Sequence, residues 1–341
     1  MIKLMSKYSF LIFLSATLIM TSCDDDDDEE PNPGPSGPTQ NIAELASASP
    51  QFSILVEILN ATNLVDAVAD ENASLTVFAP NNDAFNAFFD AENLTDDNNN
   101  GSRVDDAIAA FGEQDIIDVL LYHVLGSEVP ASAIAEQIYQ PTLSTASPNA
   151  DALSILVEPA GGTVAINGAS DKGATVAAAD IFATNGVIHE IDAVLGLPNL
   201  VDHAIANSAL SELVGNVVDA MLVDALSNPD AALTVFAPVN DAFTSIQSTV
   251  DELSEAQLVS VLQYHVLGSQ VRSGALSSGN QTTLEGQEIT IDVIVNASDN
   301  LTGVTITDAS GGVSNVVLSL TDIQGTNGVV HVIDRVLIPV L

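Results

Sequence analysis

Histidine is the side chain in this sequence best suited to metal binding or acid–base chemistry. Four of its five histidines form two matching pairs, His123 with His189 and His265 with His331. A zinc site needs three or four converging ligands, but each half of the chain offers one such pair and no cysteine. The sequence therefore predicts no histidine-based metal site and no cofactor. His189 and His331 lie in alternating strand patterns, which favour packed histidines.

One polar segment resembles part of a calcium-binding loop. The stretch from Asp96 to Ala107 (DDNNNGSRVDDA) has Asp, Asn, Asn and Gly at the first, third, fifth and sixth positions of an EF-hand-like loop. The twelfth position, which should supply a bidentate carboxylate, is Ala107, and Arg103 adds a positive charge. The favoured interpretation is a polar surface insertion, and calcium binding is left open.

Catalytic motifs are not found in the sequence. It contains no GxSxG nucleophile motif, no P-loop and no GxGxxG opening a helix. Carboxylates are plentiful, so counting does not exclude a paired-acid glycosidase. Tryptophan is absent and aromatic residues make up 4% of the chain, whereas sugar sites usually use aromatic platforms. We therefore predict that the protein is not an enzyme and has no small-molecule substrate.

The charge balance limits the class of partner. The 341 residues include 46 Asp and Glu but only 6 Lys and Arg, which gives a net charge of −40. Nucleic-acid binding needs a basic surface, so this composition argues against it. The hydrophobic content of 47% predicts a folded protein rather than a disordered acidic tail.

Helices are predicted in the first part of each half of the chain. Apolar residues recur at helical spacing over 42–68, and LTVFAP at 75–80 is typical of a short buried strand that ends at a proline. The next segment, NNDAF, is predicted to open a helix capped by Asn82 or Asp83. Residues 116–125 are predicted to pass from helix to strand.

Strands are predicted in the later part of each half. The first half has them at 153–157, 163–167, 175–178 and 187–195; the second has them at 288–295, 304–307, 316–320 and 329–338. Asn185-Gly186 and Asn327-Gly328 are typical of hairpin turns between such strands. Helices followed by strands predict an α+β fold.

Three sequence blocks occur twice in the same order. TVFAPNNDAF (76–85) recurs at 234–243 with one substitution, LLYHVLGSEV (120–129) recurs as LQYHVLGSQV, and TNGVIHEIDAVL (184–195) recurs as TNGVVHVIDRVL. The first block is displaced by 158 residues and the other two by 142, so the first copy has 16 extra residues near 95–106. The chain is therefore a tandem duplication, with predicted domains at 41–197 and 198–341.

These blocks resemble the fasciclin (FAS1) domain family over about residues 41–341. The resemblance implies two tandem domains, each a β-sandwich wedge with packed helices. It also implies a non-enzymatic protein, since the family consists mostly of secreted or surface-anchored adhesion modules that contact matrix or cell-surface proteins.

The resemblance also suggests partner-binding residues. In adhesive members of the family a Tyr-His dipeptide and an Asp-Ile element take part in integrin binding. The matching positions here are Tyr122-His123, Tyr264-His265, Asp180-Ile181 and Asp322-Ile323. Apolar neighbours around each Tyr-His pair favour a buried histidine that is hydrogen-bonded to backbone. An ordinary turn is the alternative for each Asp-Ile pair, because the lysine that precedes it in the animal motif is replaced by Ala179 and Thr321.

The N-terminus has the features of a lipoprotein export signal. Two lysines precede an apolar run at 8–20 that is too short to span a bilayer, and small residues lead to the lone Cys23. We predict a signal peptide at 1–22, lipid attachment at Cys23, and an acidic and Pro/Gly-rich tether at 23–40. An ordinary secretory peptide is the alternative.

Together these features predict an exported outer-membrane lipoprotein at the cell surface. Its expected function is adhesion or extracellular-matrix interaction, and its only contact with the membrane would be the N-terminal lipid. The alternative is a scaffolding lipoprotein of the cell envelope without an external ligand.

Overall fold

The computed structural model describes residues 37–95, 102–298 and 300–341. The two copies of the duplicated sequence fold in the same order of elements, so we call 41–197 repeat 1 and 198–341 repeat 2. Within the described residues no single helix is long and apolar enough to cross a membrane; only the bent pair Ile42–Ala48 and Pro50–Ala61 meets that criterion, by length and composition.

Repeat 1 begins with helices and ends with strands, as the sequence predicts. Its helices are α1 (Ile42–Ala48), α2 (Ser53–Ala61), α3 (Val65–Ala69), α4 (Asn82–Ala91), α5 (Val104–Phe111) and α6 (Glu113–Tyr122). Its strands are β1 (Leu75–Pro80), β2 (Val124–Leu125), β3 (Ile138–Pro141), β4 (Ser154–Ala160), β5 (Thr163–Ile166), β6 (Ala174–Ala183) and β7 (Gly186–Ile191).

Repeat 2 follows the same plan. Its helices are α7 (Leu200–Ala206), α8 (Ser211–Asp219), α9 (Val223–Leu226), α10 (Asn240–Thr244), α11 (Gln247–Asp251) and α12 (Glu255–Tyr264). Its strands are β8 (Leu233–Pro238), β9 (Val266–Leu267), β10 (Gly279–Thr282), β11 (Glu288–Val295), β12 (Leu301–Thr307), β13 (Val313–Asn315), β14 (Ile323–Gly325) and β15 (Gly328–Ile333). The predicted α+β fold, with helices followed by strands in two tandem copies, is confirmed.

Strand β6 accounts for the main difference between the two repeats. In repeat 1 the strand order is β2-β1-β7-β6-β5-β4-β3, and β6 joins both halves of the sandwich through two irregularities in its pairing. In repeat 2 the same region is split into β13, a 3-10 turn at Leu318–Leu320 and β14, so two four-stranded sheets form. The predicted strand at 316–320 is therefore wrong, because the chain bends there to move from one sheet to the other.

A parallel strand pair is the centre of each repeat. Strand β1 pairs in parallel with β7, and β8 pairs in parallel with β15. Successive side chains of a strand point to opposite faces. Val77 and Ala79 accordingly pack in the core cluster under the helices, while Phe78 packs in the cluster between the sheets. These strands are buried on both faces, which explains their continuous apolar sequence.

The hairpin turns predicted at the two Asn-Gly pairs are confirmed, but each is centred one residue earlier. Ala183 pairs with Gly186 and Gly325 pairs with Gly328, so the two turn residues are Thr-Asn and the glycine begins the next strand. The side chain of the buried Asn185 also accepts a hydrogen bond from Ile42 N–H and donates to the carbonyls of Val68 and Asp70. It joins the hairpin to the helical layer.

The N-terminal cap of α4 lies one residue earlier than predicted. Asn81 has the extended backbone of a cap, with φ −78° and ψ 174°, and its side chain accepts from Ala84 N–H at 2.9 Å. Asn82 is the first helical residue, so its side chain is free to accept from Ile54 N–H and to donate to the carbonyl of Pro50. It thereby connects α4 to the start of α2.

Half of the predicted calcium-like insertion at 96–107 lies outside the described residues, which omit 96–101. Its last residue, Ala107, is buried in α5. The polar surface insertion stays a prediction.

Candidate functional site

The Tyr-His pairs lie at the point where a helix enters the sandwich core. Tyr122 ends α6 and is fully buried between the sheets. Its hydroxyl donates to the Ser154 carbonyl at 3.0 Å and accepts from the Asn167 side-chain amide at 3.0 Å. Tyr264 donates likewise to the Glu288 carbonyl at 2.7 Å. Each tyrosine thus ties the last turn of its helix to the opposite sheet.

Both ring nitrogens of each neighbouring histidine form hydrogen bonds within the protein. His123 Nδ1–H donates to the Val119 carbonyl at 2.7 Å, and Nε2 accepts from Leu195 N–H at 2.9 Å. His265 makes the equivalent bonds with Val261 and Leu337. Burial disfavours the charged imidazolium and lowers the pKa of both rings to about 4, although the bond to the helix carbonyl acts in the opposite sense.

The burial predicted for His123 and His265 is confirmed, and it is compatible with a structural role. In the folded chain their rings lie in the core together with Tyr122 and Tyr264. A partner could reach them only after local opening of the fold. Their partner-binding role stays a prediction.

The Asp-Ile elements are hydrogen-bonded to the other two repeat-related histidines, His189 and His331. Asp180 lies in an irregular part of β6 with φ 59°, and its Oδ1 accepts from Ala131 N–H at 2.8 Å. Its own N–H donates to His189 Nδ1 at 3.2 Å, while His189 Nε2–H donates to the Val129 carbonyl at 2.9 Å. The buried histidine therefore holds the Asp180 bulge and the 129–131 loop in a fixed relation.

Repeat 2 has the same arrangement but in a different setting. Asp322 accepts from Ser273 N–H at 2.7 Å, and its N–H donates to His331 Nδ1 at 3.3 Å. Its carbonyl, however, accepts from Ser154 Oγ of repeat 1 at 3.4 Å, and Gln324 N–H donates to that hydroxyl at 2.9 Å. The Asp322-Ile323 element therefore forms part of the junction between the repeats.

The corresponding element of repeat 1 faces solvent. Phe182, which follows Asp180-Ile181, is 48% exposed, whereas its counterpart Gln324 is buried at the junction. Asp180 and Ile181 are half-buried. The residues that repeat 2 uses to contact repeat 1 are thus available in repeat 1 for another contact.

Phe182 is not among the residues predicted from the sequence to bind a partner. The signal that could have found it is the replacement of a polar glutamine by an aromatic residue at the same position of a duplicated motif.

Charged residues support the same junction and leave the rest of the surface acidic. Lys172 pairs with Asp202 across the repeats at 2.7 Å, and Arg272 pairs with Asp151 at 3.0 Å. The other two cations of the described chain, Arg103 and Arg335, also pair with aspartates. Among the described residues, therefore, every Lys and Arg is neutralised by a carboxylate.

No metal site is formed by the described part of the chain. Within 37–95, 102–298 and 300–341 no three His, Cys, Asp or Glu side chains are grouped as they would be to hold an ion. The fifth histidine, His203, donates from Nε2 to the Gln324 carbonyl at 3.1 Å and contacts the Tyr139 ring of repeat 1 edge-on. Burial lowers its pKa to about 4.

Comparison with known proteins gives consistent matches. A model of the fasciclin domain matches residues 50–198 and 208–339. Protein sll1483 of Synechocystis sp. is 34% identical over 145 residues, covering 41% of this chain and 73% of that protein. A fasciclin-like arabinogalactan protein of Arthroderma benhamiae is 26% identical over 305 residues, covering 88% of this chain and 67% of its own length.

One solved structure is similar over most of the chain. It is a FAS1 domain pair from the insect cell adhesion molecule Fasciclin I, with a TM-score of 0.47 and 20% sequence identity. The alignment covers 85% of this chain and 97% of that chain.

Proposed function

Because the chain belongs to the fasciclin domain family, we propose that it is a non-enzymatic adhesion module of the cell surface. In this proposal it is anchored by lipid on Cys23, and the Asp180-Ile181-Phe182 segment, with its exposed Phe182 side chain, contacts a matrix or cell-surface protein. Fasciclin domains occur in cell-adhesion and matrix-interacting proteins, and fasciclin homologues are typically secreted or surface proteins.

The observation that carries the proposal is the asymmetry of the Asp-Ile elements. The element of repeat 2 is used internally, against Ser154 of repeat 1. The element of repeat 1 has the same backbone arrangement, held by His189, but it presents an exposed aromatic side chain instead of a buried glutamine. An exposed aromatic anchor on a rigid support is typical of an interaction surface.

Charge indicates the kind of protein that this segment would contact. The chain carries a net charge of −40, and the cations of its described part are already paired. A basic patch on the partner would therefore be attracted, and the attraction would weaken as salt rises because exposed charges are screened over ~8 Å at physiological ionic strength.

The two repeats do not offer two equivalent contacts in this arrangement. Since Asp322-Ile323 is occupied at the junction, avidity would arise from many chains on one cell surface rather than from both repeats of one chain. Lipid attachment at Cys23 would supply that density, and the acidic tether at 23–40 would hold the repeats away from the membrane.

Attachment of cells to protein-coated surfaces tests the proposal. Cells that produce Phe182→Ser should attach to a surface coated with a basic protein about fivefold less than wild type, the effect of a residue worth about 1 kcal/mol. Val313→Ser is the matched control, because Val313 is 52% exposed on an edge strand of repeat 2. This control should attach as wild type does.

Anchoring is tested separately. Cys23→Ser should release the protein in soluble form, and metabolic labelling with a fatty acid should mark only the wild type. Protease treatment of intact cells should remove the repeats if they face outward.

Other outcomes would favour the scaffolding alternative. Equal attachment of wild-type, Phe182→Ser and deletion cells, together with a leaky envelope in the deletion strain, would reject adhesion. Repeats that resist protease on intact cells would reject the surface location.

A further inference from the structure

Repeat 2 contains an apolar cavity of about 160 Å³ between its helical layer and its central sheet. Helices α7, α8 and α9 form one side, and strands β8 and β15 form the other. The cavity reaches the surface between α7 and α8, at Ile205 and Val218, which are 53% and 55% exposed. It lies in the other repeat from the proposed adhesion segment.

The walls of this cavity have no polar group to offer a ligand. The sixteen lining residues are Leu, Val, Ile and Ala, with His265 as the exception. Both ring nitrogens of His265 are already bonded, to the Val261 carbonyl and to Leu337 N–H. Aliphatic walls favour apolar molecules, and an enclosed apolar cavity of similar volume takes molecules of about the size of benzene.

The equivalent place in repeat 1 is almost completely filled by side chains. The equivalent cavity there measures only about 30 Å³. Leu59 and Ile188 of repeat 1 are replaced by Val217 and Val330, and each replacement removes one methylene from the wall. The other lining positions are of equal or larger size in repeat 2, as at Leu226 in place of Val68, so the wall is smaller only at the two valines.

The mouth of the cavity is also more apolar than the equivalent surface of repeat 1. Exposed polar residues of repeat 1, Ser47 and Asn60, correspond to the exposed Ile205 and Val218. A third position, Asn63, corresponds to Met221, which is 75% exposed.

Met221 is unusual for its conformation as well as for its exposure. It has φ 54°, a left-handed conformation that suits the asparagine of repeat 1 (φ 55°) but is uncommon for methionine. An exposed methionine there adds nothing to the core. Its N–H donates to the carbonyl of Val218, a residue of the mouth.

We propose that this cavity is a binding site for a small uncharged apolar molecule, such as a short alkyl chain whose end points to solvent. An enlarged interior and an apolar mouth occur together in repeat 2, and both are lacking at the equivalent place in repeat 1. We expect the ligand to be uncharged because no Lys, Arg, Asp or Glu side chain lines the cavity. Each Lys and Arg of the described residues is already paired with an aspartate.

Methyl NMR of the full-length chain carrying Cys23→Ser tests this site, with 1-hexanol as the probe and hexanoate as its charged counterpart. Saturable shifts are expected for methyl groups of Val217 and Val330 with 1-hexanol. Hexanoate should bind at least about tenfold more weakly.

The matched variant restores the residues of repeat 1. Val217→Leu combined with Val330→Ile should weaken 1-hexanol binding at least about tenfold without lowering the melting temperature, because it fills existing space. Ile205→Ser changes only the mouth of the cavity. It should weaken 1-hexanol binding, but the methyl shifts of Val217 and Val330 should still be saturable.

Three results would overturn the proposal. One is the absence of saturable shifts in the wild type. Another is unchanged binding in the filled variant, which would place the probe elsewhere, for example in the phenylalanine-lined cavity around Phe88 and Phe111 of repeat 1. The third is adsorption to phosphatidylcholine vesicles without any 1-hexanol binding, which would make the mouth a membrane contact instead.

Discussion

Replacing His265 by glutamine should make the stability of this protein less sensitive to acid. In the folded chain burial lowers the pKa of His265 to about 4, whereas an exposed histidine titrates near 6.5. Between these two values the unfolded chain binds a proton that the folded chain does not. Stability from this residue is therefore fully present above about pH 6.5 and is lost as the pH falls towards 4.

The magnitude follows from the two pKa values. A difference of about 2.5 pKa units corresponds to about 3 kcal/mol in total, of which about 2 kcal/mol is already lost at pH 5. His265→Gln has no imidazole at this position, so its stability does not fall with pH for this reason. It should nevertheless be less stable at pH 7.5, by about 1–3 kcal/mol, because Leu337 N–H or the Val261 carbonyl is left without its partner.

The assay is urea unfolding of wild type and His265→Gln at pH 7.5, 6.5, 5.5 and 5.0. The difference in unfolding free energy between them should shrink by about 2 kcal/mol over this range. Comparing the two chains cancels the titration of the many carboxylates, which both share.

Tyr264→Phe is the matched control for this experiment. It removes a hydroxyl that bonds the Glu288 carbonyl and Ala309 N–H in the same core, and burial raises the pKa of Tyr264 above its usual value, so no proton is exchanged in this range. Its destabilisation should be independent of pH. If His265→Gln shows the same constant difference as this control, the ring is not held neutral and the reasoning is wrong.

Three further predictions concern the frame and the junction. Asn327→Ala should cost about 2–4 kcal/mol in chemical denaturation, because the buried side chain accepts from Leu200 N–H and donates to two carbonyls. Gly328→Ala should cost about 3 kcal/mol or more, since its φ is +150° and a Cβ would lie 2.2 Å from the Leu233 carbonyl oxygen; a melting temperature like that of wild type would contradict this. Lys172→Met should cost at most about 1 kcal/mol, and 1 M salt should remove most of the difference, because the Lys172–Asp202 pair is partly exposed.

Local sequence patterns predicted much of the fold correctly. The apolar run at 75–80 forms β1, and the apolar neighbours of His123 correctly indicated a buried ring. These features depend on residues close in sequence. The cap at Asn81 and the turn ahead of Gly186 were placed one residue off, because Asn81, Asn82 and Asn185 have similar local preferences and distant partners decide among them.

Features that depend on distant residues were not predicted. No local pattern indicates that β1 pairs in parallel with β7, or that the break at Leu318–Leu320 separates two sheets. Phe182 is exposed because the junction between the repeats covers Gln324, the equivalent residue of repeat 2, and does not cover Phe182. Comparing the repeats position by position, as for Val217 with Leu59, is the sequence signal that could have indicated the apolar cavity before the structure was known.

The parallel pairing at the centre of each repeat determines when a newly made chain can fold. Strand β1 must wait for β7, about 110 residues later, and β8 must wait for β15, about 95 residues later, so contacts of long sequence separation dominate and folding is slow. Until then Val77 and Phe78 belong to an apolar strand whose edge facing β7 is open and can associate with other chains. A nascent repeat therefore stays vulnerable to aggregation throughout its synthesis, and its last strand is the one that ends that exposure.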